Sequence, residues 1–115
     1  MLHMAHASRH HWARAGEPVN LIRGEWQCSR VYAVLGRAEP ATHHARRCLE
    51  LCTEHGIGDF DLAYAYEALT RAALVGGNPA AAGLLEQARG ALSGIAEADD
   101  RALVEADLRS LTASL

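Results

Sequence analysis

The sequence is poor in aromatic residues, which make up 5% of it, so a core must be built from Ala and Leu rather than from large rings. β-branched residues are few, and no convincing run alternates between apolar and polar. That suits a stacked-helix protein better than a sandwich or a barrel. No excess of basic charge is present: the formal net charge is -3 and the pI about 6.1. A surface dominated by phosphate binding is therefore not expected, and no nucleic-acid partner is assigned. No apolar run approaches the roughly 20 residues needed to span a bilayer, so no membrane partner is assigned. The opening stretch MLHMAHASRHHW has no hydrophobic signal core, which predicts a cytoplasmic protein. The 3 cysteines, Cys28, Cys48 and Cys52, are odd in number and two share one predicted helix. A disulfide framework is not expected, and buried reduced thiols are the simpler reading.

Small residues and helix punctuation are abundant instead. Glycine and proline mark nearly every corner, and 115 residues suit one small helical domain, 1–115. A first helix is predicted over Met4 to Ala15, stopped by Gly16. Asn20 is a plausible cap for a second helix from about Leu21 to Leu35. A third runs from near Pro40 to His55, with Gly56 and Ile57 in the pattern of a Schellman stop. A fourth starts at Asp59 or Asp61 and reaches Val75. A fifth spans about Pro79 to Ser93, weakened by Gly83 and Gly90. The sixth is capped by Ala98-Asp99-Asp100 and reaches about Leu111.

The chain also matches itself when displaced by 40 residues, the spacing between Gly36 and Gly76. Ile22 falls on Leu62, Trp26 on Tyr66, Ala33 on Ala73, Ala41 on Ala81, Ala45 on Leu85 and Cys48 on Ala88. Ser29 on Leu69 is a poorer match. Displaced backwards, Ala45 falls on Ala5, Cys48 on Ser8, Cys52 on Trp12 and Gly56 on Gly16. The first predicted helix is thus like a second helix whose own first helix is missing.

Tyr32-x-x-x-Gly36, followed by Ala41, Ala45 and Cys48, resembles the second half of a tetratricopeptide (TPR) unit. The resemblance covers roughly Leu21 to Ser93, and small bacterial proteins of this type are similar to it. The spacing of 40 exceeds the usual repeat of about 34 residues. Cys28-Ser29 and Leu69-Thr70 stand where such units carry Leu-Gly, and Ala72 stands in the place of Tyr32. The resemblance implies an all-α fold, a TPR-like α-α superhelix of about six antiparallel helices. It implies no activity.

Chemistry-bearing residues were weighed singly. His44, Cys48, Cys52 and His55 lie within about 80° of one helix face, and their i, i+4 pairs suit a metal. The set spans about 16 Å of helix, too far to converge on one ion. Core packing is the favoured reading, because Cys48 and Cys52 match Ala88 and Leu92. His3, His6 and His10, with His11, make a second one-sided set, read as surface histidines. Gly56-Ile57-Gly58 has no preceding strand and no following Lys, so it reads as a helix stop rather than a phosphate loop. On the fourth helix, Leu62, Tyr66, Leu69 and Ala73 are expected to be buried. Tyr64, Glu67 and Arg71 are expected on the opposite face. The resemblance would make Asp61, Tyr64, Glu67 and Arg71, with Gln27 and Arg30, the lining of a binding groove.

No Ser-His-Asp or Cys-His arrangement can be assembled, so catalytic residues, metal sites and cofactors are not assigned. The expected function is a non-catalytic module that holds a protein or peptide. The alternative is a small-molecule or metal-responsive protein, or a metalloenzyme, using the His/Cys clusters. A homodimer is also expected. Its interface would use Met4 and Trp12 of the first helix, or Leu108 and Leu111 from the stripe Val104, Leu108, Leu111, Leu115.

Overall fold

The computed structural model describes residues 17–113. They form α1 (Pro18–Val34), α2 (Ala38–Glu54), α3 (Asp59–Val75), α4 (Ala81–Ala91) and α5 (Ala98–Thr112), with a 3-10 turn over Leu92–Gly94 after α4. No strand occurs among the described residues, so the all-α expectation holds at that level. The helix expected over Met4 to Ala15 lies outside the described residues. None of the described helices is long and apolar enough to cross a membrane.

The first two described helices start two or three residues before the expected positions, whereas α3 starts at Asp59 as expected. α1 begins at Pro18 rather than after an Asn20 cap, because proline's fixed φ suits a first helical position and its missing N–H is not needed there. α2 begins at Ala38, so Pro40 sits within its first turn. Asp59 has φ +55, a left-handed conformation that Asp tolerates. Its carboxylate accepts the N–H of Phe60 at 2.6 Å and that of Ala96 at 3.2 Å. One side chain thus ties the start of α3 to the connection before α5.

The stops follow one chemistry. α1, α2 and α3 each have 17 residues and end in the same Schellman motif. Gly36, Gly56 and Gly77 take φ of +74, +63 and +65, the left-handed conformation that glycine adopts without strain. The N–H after each glycine returns to the carbonyl five residues back: Arg37 to Tyr32 at 2.9 Å, Ile57 to Cys52 at 2.8 Å, Asn78 to Ala73 at 2.8 Å. The glycine equivalent to Gly36 is therefore Gly77. Gly76 has another role: a Cβ there would lie 3.0 Å from the Ala38 Cβ, so its bare backbone lets the end of α3 meet the start of α2.

α3 is the centre. It packs against α1, α2, α4 and α5, while α2 also packs on α1 and α4 on α5. α1, α3 and α5 form one row, with α2 seated over the first gap and α4 over the second. Ala63, Ala65, Ala68, Ala72 and Ala73 are all buried, and their size lets four helices approach one. Ala41, Ala45 and Cys48 of α2 are fully buried, and Ser29 of α1 donates to the Ala41 carbonyl at 2.8 Å.

Two expectations about faces are overturned. Tyr64 and Glu67 are buried, Glu67 completely, whereas Leu62 and Tyr66 are only half-buried. The cause is register: aligned on Gly36 and Gly77, Trp26 falls on Glu67, Ile22 on Ala63 and Ser29 on Thr70, all buried. The 40-residue displacement holds for α2 and α4 but is one short for α1 and α3. Likewise Val104, Leu108 and Leu111 are buried in the main core. Leu108 and Leu111 face α3 and α4 rather than solvent, so they do not offer the dimer surface expected of them. Met4, Trp12 and Leu115 lie outside the described residues.

The caps and the helix interior should respond oppositely to alanine. Gly36→Ala forces a Cβ into the left-handed region and should lower the unfolding free energy by about 1 kcal/mol. Gly83→Ala, on an exposed helical position where nothing among the described residues lies within 4 Å of the new Cβ, should raise it by about 0.5–1 kcal/mol. Urea midpoints of the two variants check the pair.

Candidate functional site: a buried ion cluster between α1 and α3

Arg23, Trp26 and Arg30 recur every third or fourth residue of α1, so they share one side. Asp61, Tyr64, Glu67 and Arg71 do the same on α3. Where the rows meet, Arg23 grips Asp61 with two hydrogen bonds, Nε to Oδ1 at 3.0 Å and Nη2 to Oδ2 at 3.2 Å. The Arg30 guanidinium lies 5.4 Å over the Trp26 ring and places Nη1 3.6 Å from Glu67 Oε2. Arg71 donates to the same oxygen from Nε at 2.9 Å and from Nη2 at 2.5 Å. Glu67 Oε1 is buried and accepts no hydrogen bond. Tyr64 lies edge-on to both Trp26 and Phe60, and its hydroxyl donates to Asp107 of α5 at 2.5 Å. The cluster thereby reaches all three helices of the row.

Burial pushes the Glu67 carboxyl above the usual carboxylate range, against the pull of Arg71 and Arg30. Burial, with the hydrogen bond to Asp107, likewise pushes the Tyr64 phenol well up, so it stays a donor at neutral pH. Glu67, Arg30 and Arg71 together carry one net positive charge when the carboxyl is ionised. Both arginine side chains keep some exposure, 29% for Arg30 and 20% for Arg71, although Arg30 Nη1 is itself buried and makes no hydrogen bond.

Of the expected groove residues, the structure joins Arg30, Glu67 and Arg71 in one ion cluster. Glu67 and Arg71, expected together on an open face, pair with each other under cover. Tyr64 is a wall of the same seam, Asp61 is occupied by Arg23, and Gln27 is half-exposed on the next turn of α1. Arg23, Trp26, Phe60 and Asp107 were missed. The spacing Arg23, Trp26, Arg30 was a readable signal for the first two. Asp107 had none, because only the packing of α5 on α3 brings it to Tyr64.

The His/Cys set does not assemble. Cys48 and Cys52 lie in the core, and their mutual hydrogen bond together with burial pushes the Cys48 thiol far up. It is a neutral thiol rather than a thiolate ligand. His44 Nδ1 lies 2.6 Å from Glu25 Oε1, and its ring stacks on Tyr32 at 5.7 Å. His55 is 3.9 Å from the neighbouring Glu54. Among the described residues no group of three or more His, Cys, Asp or Glu is placed to hold a metal ion. His3, His6, His10 and His11 lie outside those residues. An open cleft of about 520 Å³ between the start of α2 and the end of α3 is lined by Glu39, Thr42, His43, Arg46 and Asn78 among others.

No family model matches the chain, and no curated protein or solved structure matches it either.

Removing one partner of a buried ion pair strands the other. Arg71→Leu should cost about 3 kcal/mol at neutral pH. The stranded carboxyl binds its proton more tightly folded than unfolded. Its penalty is therefore absent at low pH and grows as pH rises from the ordinary carboxyl range through the raised folded value. Unfolding titrations of Arg71→Leu should approach the parent protein as pH falls, and adding Glu67→Gln should flatten that dependence.

Proposed function

We propose that this chain is a non-catalytic TPR-like interaction module of the cytoplasm that binds a segment of another protein along the row of α1, α3 and α5. The observation that carries the reading is the pair of partly exposed arginines, Arg30 and Arg71, held by one buried carboxylate. Their heads cannot collapse away, so they present fixed donors to an acidic or hydroxyl-bearing segment. Three helices of equal length with identical stops support it, as repeat stacks make extended binding faces. The burial of Cys48 and Cys52 counts against the metal-responsive alternative.

The test is selection of peptides from a random display library on the immobilised full chain, followed by NMR titration of the isotope-labelled protein. Selected peptides should be acidic, and shifts should gather at Gln27, Arg30 and Arg71 while sparing Arg47 and Glu50 on the exposed side of α2. Arg30→Gln should weaken binding about tenfold, roughly 1.4 kcal/mol. Shifts confined to α2 and α4, or no selection at all, would reject the reading.

A further inference from the structure

The ion cluster between α1 and α3 holds one group that the peptide-binding reading leaves without a task, the Glu67 carboxyl itself. A carboxylate on a fully covered side chain is costly unless both of its oxygens are satisfied. Here only one is. Oε2 takes two donors from Arg71 and lies 3.6 Å from Arg30 Nη1, whereas Oε1 is buried and accepts no hydrogen bond. Arg30 Nη1 is buried too and makes no hydrogen bond, so Arg30 holds Glu67 by charge alone. Both cations have a second side. The Arg30 and Arg71 side chains are 29% and 20% exposed, while the Glu67 side chain they share is 0% exposed. An anion that reaches this seam therefore meets the arginines and not the carboxyl.

We propose that an anionic group of the bound segment shares Arg30 and Arg71 from the solvent side, and that Glu67 takes up one proton as it binds. Resting on the peptide-binding reading, this link makes the partner's contacting group an acid rather than a hydroxyl. The incoming charge stands near the carboxylate and draws on the cations that compensate it, and both effects favour the neutral acid. The proton comes from solvent and lands on Oε1, the oxygen that no donor occupies. The net charge is conserved: the seam goes from one positive charge to two, and the anion offsets one of them.

The charges that act on Glu67 come from α1, α3 and α5. Arg71 and Arg30 favour its ionised form, and Asp107 opposes them from α5. Tyr64, between Glu67 and Asp107 in the row, is a neutral donor. Arg23 and Asp61 cancel one another further along. From α2 and α4 the core side chains around α3 are apolar, apart from the thiols of Cys48 and Cys52. Burial already pushes the Glu67 carboxyl above the usual carboxylate range, so a further rise falls nearer neutrality. A proton held more tightly in the complex than in the free protein strengthens binding as pH falls. Affinity is lowest above the bound-state value, where both forms are ionised, and highest below the free-state value, where both are protonated.

The probe is a short peptide of cysteic acid, whose sulfonates keep their charge at every pH used, so any pH dependence belongs to the protein. Titration calorimetry of the full chain from about pH 5 to about pH 9, in buffers of different ionisation heat, reads affinity and proton uptake together. NMR of protein labelled at the glutamate carboxyls reads Glu67 directly. Binding should raise the Glu67 titration by about one pH unit and be about tenfold weaker at the top of the range than at the bottom. Glu67→Gln stands in for the protonated acid. It should take up no proton, lose the pH dependence, and bind at neutral pH as tightly as the parent does at the low end. If that variant loses its helical circular dichroism signal, the carboxyl titration of the parent decides alone. Uptake that persists in Glu67→Gln belongs to another group, such as a histidine, and overturns the proposal. Binding that leaves the Glu67 titration unmoved also overturns it, with the peptide-binding reading intact. A probe that does not bind overturns it as well, and the reading falls with it only if the peptide library yields nothing.

Discussion

Everything in this molecule depends on the close packing of four helices around α3. A helix surrounded in this way keeps only a narrow strip toward solvent, and its side chains must be small wherever a neighbour crosses. The alanines at 63, 65, 68, 72 and 73 meet that demand. So does Gly76, whose missing Cβ lets α2 start against α3. Small side chains bring backbones together and gain dispersion along the whole helix, which offsets the scarcity of large rings.

The same constraint explains the polar seam. Once α3 is enclosed, a carboxylate at position 67 cannot reach water and must be satisfied from inside. Arg71, one turn along, supplies two donors, and Arg30 approaches from α1. An ion pair of this kind adds little net stability over an apolar replacement, because taking charges from water is costly. What it adds is direction. Arg23 with Asp61, Arg30 with Glu67 and Tyr64 with Asp107 each join different helices, so they register α1 and α5 on α3. The recognition face proposed for this row is the outer edge of that same network.

The helices are regular in their stops and irregular in their phase. α1 to α3 share one length and one Schellman stop. α4 is shorter, at 11 residues, and tightens into a 3-10 turn at Leu92–Gly94 after Gly90. The corner from Gly77 to Ala81 is one residue shorter than that from Gly36 to Ala41, so α2 and α4 match at one displacement and α1 and α3 at another. A single displacement could not serve both pairs of helices, and it was α3, the central helix, whose faces were rotated by it.

Much of the architecture was legible in the residues alone. Helix content, the absence of strands, the stops at Gly36 and Gly56, and the core positions Ala41, Ala45 and Cys48 all follow from local rules: period, capping and side-chain volume. These depend on residues a few positions apart. The burial of Glu67 and Tyr64, the pairing of Asp61 with Arg23 and the covering of Leu108 and Leu111 do not. Each depends on which helix lies beside which, and over what stretch. The Asp–Leu–Ala–Tyr–Ala–Tyr–Glu succession at 61–67 carries the same local pattern whether one side of its helix is covered or most of them. Only the tertiary structure, by surrounding α3, decided that a glutamate belongs in the interior.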